Sequence, residues 1–124
     1  MLAQCDLVAF LATIAPTRAK AFYRDKLGLT FIEESPFALV FDAGGRMLRI
    51  QKVAALVPPS HTALGWGVAD IGDAMASLAG RGVRFELYAG LPQDAQGVWT
   101  TPQGARVAWF KDPDGNVLSL TQFS

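Results

Sequence analysis

The second half of this chain repeats the pattern of its first, and that repetition limits the available folds more than any other feature. Sliding the sequence by 54 positions sets Phe22 on Ala76, Gly28 on Gly82, Leu29 on Val83 and Phe31 on Phe85. In the first half the apolar run at residues 5–14 has strand length, and Pro16 opens a helix, where its missing N–H costs nothing. Ala19, Phe22, Tyr23 and Leu27 recur at helical spacing over Thr17 to Leu27, and Gly28 stands where a left-handed cap belongs. Three strands are predicted next, Leu29 to Glu34, Phe37 to Asp42 and Arg46 to Lys52, separated by turn residues at 35–36 and 43–45.

The second half offers a strand from Thr62 to Val68, Asp70 as an N-cap, and a helix whose buried stripe is Ile71, Ala74, Met75 and Leu78. Gly82 ends it. Strands are then predicted at Val83 to Leu87, Ala105 to Lys111 and Val117 to Gln122, the last two joined by the turn sequence of residues 112–116. Residues 88–104 are an insertion that can hold one extra strand at Val98 to Thr101, and they are the natural candidate for a loop closing over a site.

Each half is too small to enclose a core alone, so the two are expected to associate within one domain of 124 residues. The predicted fold is α+β: tandem βαβββ modules, at 5–53 and 62–123, forming an open cup-shaped mixed β-sheet with the helices outside. Eleven basic and eleven acidic residues leave no net charge, and they are scattered, which argues against nucleic acid or an anionic membrane as partner. No apolar run approaches the roughly 20 residues of a membrane span, and Leu7 to Ile14 has no basic leader. A cytoplasmic protein is expected. The single cysteine, Cys5, has no partner for an intrachain disulfide and is expected to lie buried on the first strand.

Residues 22–29, FYRDKLGL, and 110–118, FKDPDGNVL, carry a resemblance. At this separation they are similar to the vicinal oxygen chelate superfamily, which includes glyoxalase I, extradiol dioxygenases, thiol-transferring fosfomycin-resistance enzymes and proteins that bind bleomycin without altering it. Both motifs are structural, a capped helix and a tight turn, and specify a fold but not an activity. The resemblance implies metal-ligand positions on the first and last strands of each half. These map onto Val8, onto Arg49 or Gln51, near Ala63, and onto Ser119. Divalent cations in such sites need several imidazole or carboxylate donors. Only Gln51 and His61, the one histidine, remain as weak candidates, so no cofactor is expected and a divalent metal is the minority reading.

Strand alternation marks the rest of the lining. With Leu48 and Ile50 toward the helix, Met47, Arg49 and Gln51 face the cavity; with Leu118 and Leu120 packed below, Val117, Ser119 and Thr121 do so. Val107 and Trp109 join them on the neighbouring strand, Val8 and Phe10 on the first, and Trp99 from the insertion. Trp66 falls on the helix side, and Tyr23 is assigned to the buried helix stripe. Arg49 either meets a carboxylate of the protein, from Glu33, Glu34 or Asp42, or serves an anionic ligand. The expected function is a metal-free homodimer that sequesters or carries a small aromatic or anionic compound. The alternative is a lyase, isomerase or dioxygenase with an atypical or absent metal site, and a purely structural module is the third reading.

Overall fold

Eight strands and two helices form in the order that the repeat predicts, and both sheets have the same topology. The computed structural model describes residues 1–124, which divide into two compact units, Met1–Val57 and Pro58–Ser124.

In the first unit β1 (Val8–Thr13), β2 (Thr30–Glu34), β3 (Ala38–Ala43) and β4 (Arg46–Lys52) are ordered β1-β4-β3-β2. β1 runs parallel to β4, and the other pairs are antiparallel. Helix α1 (Pro16–Ala21) continues into a wide π turn at Phe22–Lys26. Leu39, Phe41, Leu48 and Ile50 are fully buried under it, and the Tyr23 ring packs 5.2 Å from Phe22 and 5.9 Å from Phe41. Burying each such side chain contributes about 1.5–3 kcal/mol, so this row holds the helix to the sheet.

In the second unit β5 (Thr62–Gly67), β6 (Trp99–Thr100), β7 (Arg106–Lys111) and β8 (Val117–Gln122) are ordered β5-β8-β7-β6, with β5 parallel to β8. Helix α2 (Ile71–Gly80) is capped by the Asp70 carboxylate, which accepts from the Asp73 N–H at 2.9 Å. It ends in a Schellman motif: the Gly82 N–H reaches the Ala79 carbonyl and the Val83 N–H reaches the Leu78 carbonyl, with Gly82 at φ 88°. Phe110 and Leu118 are fully buried, and Phe110 stacks on Trp66 at 6.4 Å, which places Trp66 on the core side as expected.

Four expectations change. The first strand begins at Val8, and Cys5 is exposed, because residues 2–4 form a short 3-10 turn that carries no buried residue. The segment Val83 to Leu87 is no strand and makes one bridge, Phe85 to Phe110. The Gln93 side chain takes over from a ladder there: its carbonyl accepts from the Tyr88 N–H, and its amide donates to the Glu86 and Gly97 carbonyls. The insertion is therefore built into the sheet edge, where it supplies β6, instead of standing over a site as a free loop.

The repeat offset also slips by one residue within the helices. In α2 the closing bond spans five residues, Val83 to Leu78, whereas after α1 it spans six, Leu29 to Tyr23. The Leu27 N–H donates to the Phe22 carbonyl, the π-type bond that accommodates one extra residue. Tyr23 thus corresponds to Leu78 and Phe22 to Ser77, not Ala76, while Gly28 and Gly82 stay matched.

Candidate functional site

Each sheet has one face packed on its helix and one open face, and the strand registers settle which residues share the open one. On the first sheet Val8 lies opposite Met47, Phe10 opposite Arg49 and Ala12 opposite Gln51. Across β4, Asp42, Val40 and Ala38 stand opposite the same three residues. Phe10, Met47, Arg49 and Gln51 are therefore brought together as expected. Phe10 and Met47 remain 54% and 43% exposed, a large apolar area for one face of a four-stranded sheet.

Arg49 is half-buried on this face and forms no salt bridge. Its Nη1 lies 3.9 Å from the Met47 sulfur. Of its three possible carboxylate partners, Glu33 forms no salt bridge, Glu34 is occupied by Lys52 at 2.6 Å and Lys20 at 3.5 Å, and Asp42 accepts from the Gly45 N–H in its own turn. The Lys52 hydrogen bond holds the Glu34 carboxyl below its ordinary range, with Lys20 adding to the effect.

On the second sheet Trp109 lies opposite Ser119 and Val107 opposite Thr121, with Trp99 opposite Val107. The Trp99 and Trp109 rings stack at 6.2 Å, and Tyr88 meets Trp109 edge-on at 5.7 Å. Trp99, Val107, Trp109 and Thr121 thus share one half-buried surface. Ser119 belongs to the same face but is only 7% exposed, its hydroxyl lying over Gly65, where any side chain would collide with it.

Two functional candidates on this face carry no sequence signal. Tyr88 sits in a segment read as insertion, and burial beside the Glu86 carboxylate raises its phenol above the ordinary value. Thr62 reaches the open face because β5 bulges between Thr62 and Leu64, which breaks simple alternation. His61 is exposed and lines a cavity of about 350 Å³ with Thr62, Tyr88 and Trp109. No cluster of three or more His, Cys, Asp or Glu side chains is placed to hold a metal ion. No helix is long and apolar enough to cross a membrane.

The turn motif also shows its purpose. Asp112 is buried, and its Oδ1 accepts from the Asp114 and Asn116 N–H groups while Oδ2 accepts from the Asn116 side chain. One carboxylate thus organises the whole reversal between β7 and β8.

Comparison with solved structures shows the same fold throughout the chain. A member of the glyoxalase/bleomycin resistance protein/dioxygenase superfamily from Sphaerobacter thermophilus is 20% identical at a TM-score of 0.75, covering 99% of this chain and 100% of that one. Lactoylglutathione lyase from Agrobacterium tumefaciens is 18% identical at a TM-score of 0.73, covering 96% and 93%. A genomically encoded fosfomycin resistance protein from Listeria monocytogenes is 14% identical at 0.74, covering 95% and 92%. At these identities the likeness speaks to fold alone. No curated protein sequence matches the chain. The family profile described as Glyoxalase/Bleomycin resistance protein/Dioxygenase superfamily matches residues 6–120, nearly the whole length, and the chain belongs to that superfamily.

Proposed function

We propose that this protein binds a small aromatic anion without the help of a metal, acting as a cytoplasmic homodimer that sequesters or carries its ligand. The open face of the first sheet offers Arg49 beside Phe10, and the open face of the second, taken by itself, offers the stacked Trp99–Trp109 pair. One observation carries this reading: Arg49 has no carboxylate partner although it sits among Phe10, Met47 and Val8. A guanidinium on an apolar face is costly unless an anion meets it, and a planar carboxylate or phosphate suits its fork of donors. The stacked indoles favour an aromatic body.

The residues at the family's ligand positions do not fit a divalent cation. Val8 and Ala63 present hydrocarbon, Arg49 presents a positive charge, and Ser119 presents one hydroxyl packed over Gly65. Gln51 and His61 alone are no substitute for the several imidazole or carboxylate donors that a divalent cation needs.

Native mass spectrometry of the purified protein tests the reading together with a tryptophan-fluorescence titration using naphthalene sulfonate. The expected result is a metal-free dimer whose indole emission is quenched saturably, with quenching lost in Arg49→Ala. One tightly held divalent ion per chain, with a chelator-sensitive turnover, would replace this proposal with the enzyme reading.

A further inference from the structure

Arg106 occupies a position where the alternation of β7 calls for hydrocarbon. It continues the core-facing row of Phe110 and Ala108, which are fully buried, yet it is itself exposed and forms no salt bridge. A cation at the end of a core row breaks a local rule, and such breaks concentrate at functional places. What Arg106 meets is a cavity of about 450 Å³ on the helix side of the second sheet. Met75, Ala76 and Ala79 of α2 line it, as do Val83, Phe85 and Val98.

The first unit shows why this space is open. There Lys20 lies over the Phe31 ring at 4.3 Å, and Phe22 is buried against Tyr23. At the corresponding positions of the second unit stand Met75 and Phe85, which line the cavity, with exposed Ser77 in place of Phe22. One aromatic ring is missing. The sheet edge is also interrupted, since Phe85 makes a single bridge before the chain leaves for the insertion.

Asp94 lies on the rim, but its Oδ1 accepts from the N–H groups of Gln96, Gly97 and Val98, so this carboxylate is committed to holding the loop. Arg106 is near enough for its charge to favour the ionised Asp94 but forms no salt bridge with it, so its guanidinium N–H groups are available to an occupant.

We propose that this cavity is a second small-molecule site, separate from the open sheet face, that takes an apolar monocarboxylate. A phenyl ring or short alkyl chain packs on Met75, Val83, Phe85 and Val98, and the carboxylate meets the Arg106 guanidinium. The volume falls within the range of about 300–1,000 Å³ usual for such sites, and a mostly apolar wall with a few polar groups, here Arg106 with Asp94 and Gln96 at the rim, is their usual chemistry.

Amide chemical-shift mapping with phenylbutyrate, and with phenylbutanol as its uncharged counterpart, tests the assignment. Both compounds should move the amides of residues 75–79 and 96–98. Arg106→Gln should weaken phenylbutyrate by about tenfold and leave phenylbutanol unchanged. Ala76→Phe, at an exposed helix position that tolerates the change, should block both. Equal phenylbutyrate binding by Arg106→Gln, or shifts confined to Trp99, Val107 and Trp109, would overturn the proposal. So would the absence of any shift at the cavity, whatever the fate of Arg49 and the open faces.

Discussion

The indole N–H of Trp109 donates a 3.0 Å hydrogen bond to the Thr62 hydroxyl, tying β7 to β5 across the intervening strand β8. The bond depends on the β5 bulge, because unbroken alternation would turn Thr62 toward the helix side with Leu64. It fixes the orientation of the ring on which Trp99 stacks and Tyr88 abuts. Thr62→Val should cost less than about 1 kcal/mol, since the pair is exposed to water, while changing the indole emission and weakening ligand quenching. A thermal melt and a fluorescence titration on the same samples separate the two effects.

Arg49→Gln should leave the melting temperature unchanged, as no carboxylate loses a partner. Affinity for an aromatic sulfonate should fall by about tenfold, while affinity for the neutral parent hydrocarbon stays the same. Isothermal titration with both compounds reads the contrast, and equal losses for the two would assign Arg49 a packing role instead.

Phe110→Ala should destabilise the protein by about 3–5 kcal/mol, through lost burial and the cavity left between Trp66 and Phe85. Denaturant unfolding followed by circular dichroism measures it. Asp112→Ala, which leaves buried turn donors unpaired, should cost about 1–3 kcal/mol, and Asp112→Asn should recover part of that.

Glu34 has its carboxyl lowered in the folded state, chiefly by the Lys52 hydrogen bond. A depressed carboxyl pKa stabilises the fold above the unfolded value, and the contribution is lost as pH falls through the folded value. Stability of the wild type should therefore drop more steeply on acidification below the ordinary carboxylate range than that of Glu34→Gln, with the two curves running parallel at neutral pH. Urea midpoints measured across that range check the sign.

Alternation and punctuation made most of the architecture readable. Leu48 and Ile50 against Met47 and Arg49, or Leu118 and Leu120 against Ser119 and Thr121, follow from a period of two once one face is known to be covered. Gly28 and Gly82 end the helices as their positions imply, and Asp70 caps as its type implies. The misreadings fall where the backbone departs from simple alternation, as it does at the 3-10 turn before Cys5 and at the bulge in β5. Val83 to Leu87 has strand composition, but its Glu86 carbonyl is taken by the Gln93 side chain, while its Val83 N–H closes the preceding helix and only its Glu86 N–H reaches β7, at the Trp109 carbonyl. Thr62 turns to the open face through a bulge, and Tyr88 reaches Trp109 from a segment with no periodicity. Arg49 was legible as a charge on an apolar face; that Lys20 and Lys52 claim Glu34, leaving it unpaired, is a three-dimensional fact.

The π turn at Phe22–Lys26 bears on how the two halves differ. Adding one residue to an α-helix swings everything beyond it by about 100°, which would have pulled Tyr23 from the core or thrown β2 out of line. Here the surplus is absorbed within five residues, and the chain leaves Gly28 as its twin leaves Gly82. The first half therefore holds one more residue than the second between helix and strand, and excising Asp25, an exposed residue of that turn, should restore an ordinary helix without disturbing the strand beyond it.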